Sequence, residues 1–226
     1  MKIEFLQQNN TNHLTLIFAG WGMSASDFRF LVKTECIPSL LVCSDYRTLD
    51  FDTDILKPYT DIRFIAYSLG VWAASFVFHK KKIAFSEKIA INGTRFPVDN
   101  ERGIPIKTYK GTEQSLSENS LRKFILRMCG TKENFEQFMT NTEPKNIAHL
   151  KEELRIIQRL STQYNVSDFQ WDKVIISTND AIFPIENQRE AWEKNENVVE
   201  IEASHFSQDI FKSLHYPQFQ HQPVQT

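Results

Sequence analysis

Short apolar segments recur along the chain, and several of them are apolar at consecutive positions rather than at alternate ones. Strands that are covered by helices on both faces show this pattern, because neither face meets water. The pattern predicts strands at residues 2–6, 13–19, 39–45, 61–67, 86–92, 172–178 and 197–203. Helical periodicity predicts helices at residues 25–33, 69–80 and 186–195, and a last helix after His205. We therefore expect an α/β fold with a mostly parallel sheet flanked by helices.

The stretch from about residue 110 to residue 166 differs, because its pattern is helical throughout and contains no clear strand. One helix within it has a serine as its candidate N-cap and ends at Gly130. A later helix places Leu150, Leu154 and Ile157 on a single apolar stripe. A helical insertion between two groups of strands is typical of a cap over one edge of a sheet. We expect a single domain over residues 1–226, with this cap at about 110–166.

The composition is that of an ordinary globular protein of 226 residues with a formal net charge of −2. This balance provides no long-range field toward nucleic acid or an anionic membrane. Three cysteines, Cys36, Cys43 and Cys129, occur without a C-x-x-C motif, which disfavours a disulfide framework or a zinc site. The N-terminal segment lacks the apolar core of a signal peptide, and no apolar run has the length of a membrane span. We expect a cytoplasmic, monomeric protein.

The segment FAGWGMSASDF, residues 18–28, follows a strand pattern and carries Gly20, Gly22 and Ala25. This G-x-G-x-x-A spacing matches the dinucleotide-binding fingerprint, in which Asp45 at the end of a later strand would bind the ribose. The same kind of loop could instead hold backbone N–H groups ready for an oxyanion. The loop alone leaves both functions open.

A second motif, AYSLG at residues 66–70, stands where a strand pattern gives way to a helical pattern. It matches the nucleophile elbow G-x-S-x-G, except that Ala66 replaces the first glycine and nearly meets the same steric demand. Such an elbow lifts the serine hydroxyl above the sheet, at the N-terminus of the following helix. Ser68 is therefore the candidate nucleophile, and a serine that only caps the helix is the alternative.

A nucleophilic serine needs a base, and the base needs an acid that orients it. In this class of hydrolase the chain order is serine, acid, histidine. Asp180 follows the sixth predicted strand, and His205 follows the seventh. Both stand at carboxyl ends of strands, where the sites of α/β sheets collect. The predicted triad is Ser68, Asp180 and His205, with Asp45 as a rival acid.

The predicted triad favours the second interpretation of the glycine loop. Ser24 and Asp27 form an S-x-x-D capping box, which starts the helix after the glycines rather than within them. A bulky tryptophan also stands between the two glycines. We expect the backbone N–H groups of Trp21 and Leu69 to form an oxyanion hole, and the dinucleotide site stays as the alternative.

FAGWG, the D-Y-R after the third strand, AYSLGVW and the late SHF together resemble the BioG type of pimeloyl-[acyl-carrier protein] methyl ester esterase, over nearly the whole chain. The glycine loop and the elbow also resemble the BioH type, which performs the same reaction. The resemblance implies an α/β-hydrolase fold with a helical cap, and removal of the methyl group from pimeloyl-carrier-protein methyl ester in biotin synthesis. It implies Ser68 as nucleophile, His205 as base and Asp180 as acid, without a metal or an organic cofactor. One departure is Ala19-Gly20, where the general hydrolase pattern has His-Gly.

A carrier protein is acidic, so the resemblance implies a basic docking surface on the esterase. Cationic side chains recur at helical spacing in the predicted cap, namely Lys123 and Arg127 on one helix and Lys151, Arg155 and Arg159 on another. Charged helix faces are often only solvated, and Glu152 and Glu153 stand beside the second group. Both interpretations of these cations therefore stay open.

Apolar residues of the predicted cap that could line an acyl channel are Phe124, Leu126, Phe135 and Phe138. A general short-chain carboxylesterase or thioesterase would carry the same triad and would differ only in substrate preference. A hydrolase-like fold that binds without catalysis is a further alternative, and it differs in the reactivity of Ser68.

Overall fold

The computed structural model describes residues 1–32, 38–166, 168–195 and 197–215, so Cys36 and the predicted helix end at Lys33 lie outside the described residues. The described chain forms a seven-stranded sheet with the order β1-β3-β2-β4-β5-β6-β7. The strands are β1 Lys2–Gln7, β2 His13–Phe18, β3 Ser39–Ser44, β4 Asp61–Tyr67, β5 Glu87–Ile91, β6 Lys173–Asn179 and β7 Val198–Ser204. All seven predicted strands are confirmed, and each end lies within one residue of its predicted position.

Strand β1 runs antiparallel to β3, and every other neighbouring pair in the sheet is parallel. The middle of the sheet is covered on both faces, since all six residues of β3 are buried. This double burial explains the consecutive apolar positions of the strands. Because parallel strands share a direction, the segments that follow β2, β4, β5, β6 and β7 emerge at one edge of the sheet.

The α-helices of the described chain are α1 Leu69–Phe78, α2 Ile106–Ser115, α3 Glu118–Cys129, α4 Lys132–Met139, α5 Ile147–Gln163, α6 Ile185–Trp192 and α7 Gln208–His215. The predicted helices 69–80 and 186–195 are confirmed, although they end earlier, at Phe78 and Trp192. The helix predicted at 25–33 is present in its described part, but it is a 3-10 helix. Ala25–Leu31 forms a 3-10 helix, which stops because Val32 adopts an extended backbone with ψ 127°.

The described residues between β5 and β6 include four consecutive α-helices, α2 to α5, which we call the cap. The cap begins at Ile106, a few residues before the predicted start of the insertion. Ser117 caps α3, and Gly130 ends it with a φ of 77°, a left-handed conformation that glycine adopts without a Cβ penalty. The stripe of Leu150, Leu154 and Ile157 on α5 is buried, as its spacing predicts.

The cap contacts the core at the loop that follows β2. The Trp21 indole N–H donates to the carbonyl of Leu150 on α5 at 3.0 Å. The Trp21 ring also packs edge-on against Phe124 of α3, with ring centroids 5.1 Å apart. The glycine loop is therefore enclosed between the carboxyl edge of the sheet and two helices of the cap.

Within the described residues, no helix combines the length and the apolar character that crossing a membrane requires. The same residues contain no group of three or more His, Cys, Asp or Glu side chains that could hold a metal ion.

Candidate active site

Ser68 stands at the sharp turn between β4 and α1, with φ 57° and ψ −129°. A non-glycine residue in this conformation is strained, and such strain is typical of a nucleophile elbow. The turn is held by a hydrogen bond from the Ser68 N–H to the Ile91 carbonyl at 2.9 Å. Two glycines let neighbouring backbone segments approach the turn closely. A Cβ on Gly70 would lie 2.4 Å from the Ala19 carbonyl oxygen, and a Cβ on Gly93 would lie 2.1 Å from the Ser68 carbonyl oxygen.

His205 follows β7 and faces the elbow. Its Nε2 lies 2.9 Å from the Ser68 hydroxyl oxygen, and its Nδ1 lies 2.7 Å from Asp180 Oδ2. With the ring proton on Nδ1, the imidazole donates to Asp180 and accepts from Ser68. Both Ser68 and His205 are buried, with 5% and 1% of their surface exposed. The structure thus brings together the three residues that the sequence predicts for the triad.

Asp180 lies in the loop after β6, and its carboxylate accepts hydrogen bonds on both oxygens. Oδ1 accepts from the backbone N–H groups of Ile182 and Phe183 at 2.8 and 2.9 Å. Oδ2 accepts from the amide of Gln188 on α6 at 3.0 Å, in addition to His205. These bonds fix the carboxylate, and through it they fix the orientation of the imidazole.

Asn92, at the end of β5, holds the backbone of the histidine. Its side-chain amide donates to the His205 carbonyl at 2.6 Å and to the Ser177 hydroxyl at 2.8 Å. Its side-chain oxygen accepts from the Ser177 N–H at 2.7 Å. The sequence gives no signal for this role, because Asn92 matches no motif and its partners lie far along the chain. Gly93 and Gln188 also match no motif, so the sequence gives no signal for them.

The glycine loop lies directly against the elbow. A Cβ on Gly20 would approach the Tyr67 ring to 2.8 Å and Ser68 Cβ to 3.2 Å. Gly22 has a φ of 77°, which favours glycine. The capping box is confirmed, since the Ser24 N–H donates to Asp27 Oδ2 at 2.8 Å and the 3-10 helix begins after the glycines. This helix start differs from that of a dinucleotide site, in which the helix begins within the fingerprint.

A pocket opens above Ser68, between the core and the cap. Trp21 and Leu69, the predicted oxyanion residues, line it together with Ser68 and His205. The N–H of Leu69 belongs to the first turn of α1, where backbone donors have no partner within the helix. Most of the remaining wall is apolar, and it includes Ile104, Phe124, Met128, Leu154 and Ile182. Such a wall favours an apolar group of a ligand beside Ser68.

Asp45, the rival acid, lies elsewhere in the hydrogen-bond network. Both of its oxygens accept from the Arg47 guanidinium, at 2.7 and 2.8 Å. These bonds hold the pKa of Asp45 below its usual range. The structure therefore pairs Asp45 with an arginine, and it pairs Asp180 with His205.

Of the five cations predicted to meet a carrier protein, Arg127 lines the pocket. Lys123, Lys151, Arg155 and Arg159 do not line it. Arg155 forms an ion pair with Glu113 of α2, with Nε and Oε1 2.8 Å apart. Of these five cations, Arg127 therefore shares the pocket with Ser68 and His205.

The apolar cap residues divide between the pocket and the interior of the cap. Phe124 lines the pocket, whereas Phe135 and Phe138 are buried away from it. Phe138 packs edge-on against Phe206. Leu126 is 42% exposed and does not line the pocket.

The sheet, the elbow between β4 and α1, and the helical insertion after β5 define an α/β hydrolase. The solved structure of an enol-lactonase from Burkholderia xenovorans shares this fold, with a TM-score of 0.63 at 12% identity, covering 94% of this chain and 93% of the lactonase. The chain belongs to the family described as pimeloyl-ACP methyl esterase BioG, whose profile matches residues 1–217. The expected fold class and the resemblance noted from the sequence are both confirmed.

Two relatives bear on function. The crystal structure of BioG from Haemophilus influenzae superimposes with a TM-score of 0.84 at 34% identity, covering 94% of this chain and 97% of that one. A Bacteroides fragilis protein named malonyl-[acyl-carrier protein] O-methyltransferase is 41% identical over 198 residues, which is 87% of this chain. The chain spans only 40% of the length of that protein.

Proposed function

We propose that this chain is a serine esterase that hydrolyses the methyl ester of pimeloyl-[acyl-carrier protein] to the free acid and methanol, in biotin synthesis. The observation that carries the proposal is the contact of Ser68 with His205 and of His205 with Asp180, at 2.9 and 2.7 Å, in a chain of the BioG family. The name of the Bacteroides relative adds support, because an enzyme that methylates a carrier-bound acid makes the kind of bond that this chain would cleave.

In the acylation step, the Ser68 oxygen attacks the carbonyl carbon of the methyl ester while His205 Nε2 takes the hydroxyl proton. Asp180 accepts the Nδ1–H bond and stabilises the imidazolium that forms. The negative charge that develops on the carbonyl oxygen is held by the backbone N–H groups of Trp21 and Leu69. As the C–O bond breaks, His205 returns the proton to the departing methoxide, and methanol leaves.

In the second step, water attacks the acyl-Ser68 ester and His205 accepts a proton from it. The same two backbone donors hold the second oxyanion, and collapse of this intermediate releases the carboxylic acid. The proton that His205 holds returns to Ser68, which restores the starting state. The reaction consumes one ester and one water and needs no redox partner.

A Ser68→Ala variant tests the proposal. Its rate of methyl ester hydrolysis should fall by at least about 10⁴-fold, because the nucleophile is lost. The measurement is release of free pimeloyl-carrier protein from its methyl ester, followed by mass. Wild-type hydrolysis by Ser68→Ala would overturn the proposed mechanism.

The alternatives are separated by reactivity and substrate. Labelling of wild-type Ser68 by a fluorophosphonate probe would rule out a fold that binds without catalysis. A general carboxylesterase or thioesterase would hydrolyse short free esters or thioesters with a kcat/KM equal to that for the carrier-bound ester. The proposed function requires a clear preference for the carrier-bound methyl ester.

The carrier protein should approach the mouth of the pocket, where Arg127 stands. Lys123 lies four residues before Arg127 on α3, and Arg159 is exposed on α5. Arg155 is partly neutralised by Glu113, so it contributes less than these residues to attraction of an acidic partner.

Charge reversal checks this docking surface. The variants Lys123→Glu and Arg159→Glu should raise KM for the carrier-bound ester and leave kcat/KM for a small free ester unchanged. The effect should shrink as salt is added, because salt screens exposed charges. Lys57→Glu reverses an exposed charge outside the cap, and it serves as the control for a general change in net charge. Equal KM values for all three variants would remove this docking surface.

A further inference from the structure

Tyr46, the central residue of the D-Y-R segment after β3, is fully buried and joins two parts of the molecule. Its hydroxyl donates to the carbonyl of Ala19 at 2.7 Å. Its backbone N–H donates to Glu153 Oε1 on helix α5 of the cap at 2.8 Å. Burial raises the pKa of Tyr46 well above its usual range, which favours the protonated hydroxyl that donates this bond. One residue thus contacts the cap through its backbone and the glycine loop through its side chain.

The carbonyl that Tyr46 holds belongs to the start of the glycine loop. Ala19 immediately precedes Gly20 and Trp21, and the Ala19 oxygen packs against the first turn of α1, 2.4 Å from where a Cβ on Gly70 would lie. The Ala19 N–H is also held, by the carbonyl of Cys43 at 2.9 Å. Because both sides of Ala19 are fixed, the direction of the next peptides, including the one that carries the Trp21 N–H, is restricted as well.

The corner that presents Tyr46 is itself fixed. Asp45 has a φ of 58°, and its carboxylate is held by both Nε and Nη2 of Arg47. Arg47 also reaches Glu152 of α5 at 3.4 Å. Aspartate tolerates this left-handed conformation better than most non-glycine residues, and the two bonds from Arg47 hold it there. The D-Y-R segment therefore forms a rigid joint between the sheet, the glycine loop and helix α5.

We propose that Tyr46 is a positioning residue for the oxyanion loop, and that Glu153 fixes Tyr46 so that the seating of helix α5 sets the position of the Trp21 N–H. The inference rests on the proposed function, in which that N–H stabilises the developing oxyanion. A second contact also joins α5 to the glycine loop, because the Leu150 carbonyl of α5 accepts the Trp21 indole N–H. The cap is thereby part of the catalytic geometry as well as a cover for the pocket.

A Tyr46→Phe variant removes only the hydroxyl and leaves the ring in place. We expect kcat for a small methyl ester to fall about fivefold with KM nearly unchanged, since the loss of one hydrogen bond displaces a donor that acts in the transition state. The inhibition constant of a trifluoromethyl ketone, whose adduct with Ser68 mimics the oxyanion, should rise by the same factor. A role in packing alone would lower the melting temperature without this parallel change.

Ser75→Ala is the matched control. Ser75 is also fully buried, and its hydroxyl also donates to a backbone carbonyl, that of Val71 at 2.7 Å. The same hydroxyl accepts from the Trp171 indole N–H at 3.2 Å. Ser75→Ala should therefore lower stability at least as much as Tyr46→Phe does, and it should leave kcat and the ketone inhibition constant unchanged.

Two variants at Glu153 give an independent test should Tyr46→Phe fold poorly. Glu153→Gln keeps an oxygen that accepts the Tyr46 N–H and should retain wild-type kcat. Glu153→Leu leaves that N–H without an acceptor and should lower kcat and ketone affinity together, as Tyr46→Phe does.

A Tyr46→Phe enzyme with wild-type kcat and ketone affinity would overturn the inference, as would equal kcat values for Glu153→Gln and Glu153→Leu. The outcome is separable from the proposed function. If Ser68→Ala is inactive but Tyr46→Phe is fully active, the esterase assignment survives and only the positioning role fails. If Ser68→Ala is active, both fail.

Discussion

At the scale of single residues, the candidate site is defined by side chains that each have two or more fixed partners. Asp180 is the clearest case, because backbone N–H groups hold one oxygen while Gln188 and His205 share the other. Gln188 is fully buried and also donates to the Phe183 carbonyl at 3.1 Å. A side chain that does not line the pocket thus helps to fix the Asp180 carboxylate.

A Gln188→Leu variant should lower kcat about tenfold, since a hydrogen bond to a charged group is worth about 1.5–3 kcal/mol. The measurement is steady-state hydrolysis of a small methyl ester at pH 8. A Gln188→Glu variant keeps the shape but, when ionised, places a second carboxylate beside Asp180. Wild-type activity of Gln188→Glu at that pH would show that the shape of the residue matters and its donor does not.

Glu153 contributes a pH dependence to stability. Burial raises its pKa to about 7 from an ordinary value of 4.5, although the bond from the Tyr46 N–H opposes the shift. The titratable and charged groups that influence it are Tyr46, Asp45 and Arg47 after β3, Lys145 before α5, and Tyr109 on α2. Between pH 4.5 and about 7 the folded protein holds the Glu153 proton more tightly than the unfolded chain does, so stability falls as pH rises through this window.

Glu153→Gln should remove this dependence. The amide does not titrate, so any destabilisation that it causes is the same at each pH. The melting temperature of the variant minus that of the wild type should therefore increase as pH rises from 5 to 7. This difference should level off near pH 8. Thermal unfolding at four pH values measures it. A difference that stays constant from pH 5 to pH 8 would contradict the raised pKa.

The predictability of the site follows from where each partner lies in the chain. Ser68, Asp180 and His205 could be predicted because each stands at the end of a recognisable strand and their order is that of a known class. Asn92 bonds a residue 113 positions away and Tyr46 bonds one 107 positions away, so these contacts could not be predicted, although Tyr46 belongs to the D-Y-R segment of the family resemblance. Such contacts arise only when the sheet brings its carboxyl ends together.

At the scale of elements, the strands could be predicted closely because a doubly covered sheet requires uninterrupted apolar runs. The segment at 25–33 could not, since a capping box marks where a helix starts and leaves open whether it is α or 3-10. The close approach of β4, β5 and α1 was equally hidden in the sequence. It depends on Gly93, whose missing Cβ makes room for the Ser68 carbonyl.

A Gly93→Ala variant tests that approach. The added Cβ would lie 2.1 Å from the Ser68 oxygen, and the backbone there cannot yield without moving the elbow. We expect a loss of stability of about 2 kcal/mol or more and a matching fall in kcat. Urea unfolding and ester hydrolysis measure the two effects.

Gly111→Ala is its control, because a Cβ at Gly111 meets nothing within 4 Å. Gly111 lies inside helix α2, where alanine is favoured over glycine by about 0.5–1 kcal/mol, so this variant should gain stability and keep its activity. Loss of stability in both variants would show that the two positions require the backbone flexibility of glycine. The close contact at Gly93 would then not be the cause.

At the scale of the whole molecule, the cap is joined to the core by buried polar contacts as well as by apolar packing. The Asp27 carboxylate, with no exposed side-chain surface, pairs with Lys145 at 3.2 Å, and that lysine is 12% exposed. Thr142 donates to the other oxygen of Asp27 at 2.7 Å. All of these bonds link the segment between α4 and α5 to the 3-10 helix after the glycine loop.

The segment between α4 and α5 also forms an exposed ion pair, Glu143 with Arg29 at 3.4 Å. The buried Asp27–Lys145 pair and this exposed pair should differ greatly in what they contribute to the free energy of unfolding. Asp27→Ala leaves Lys145 buried without its counter-charge and should cost about 3 kcal/mol, whereas Glu143→Ala should stay within about 0.5 kcal/mol of the wild type. Loosening of the cap should also make residues 140–146 of Asp27→Ala sensitive to limited proteolysis under native conditions. Equal urea midpoints and equal cleavage rates for the two variants would mean that apolar packing alone seats the cap. In that case the Asp27–Lys145 pair would not hold the cap to the core, because a contact that joins two parts of a fold must change how often they separate.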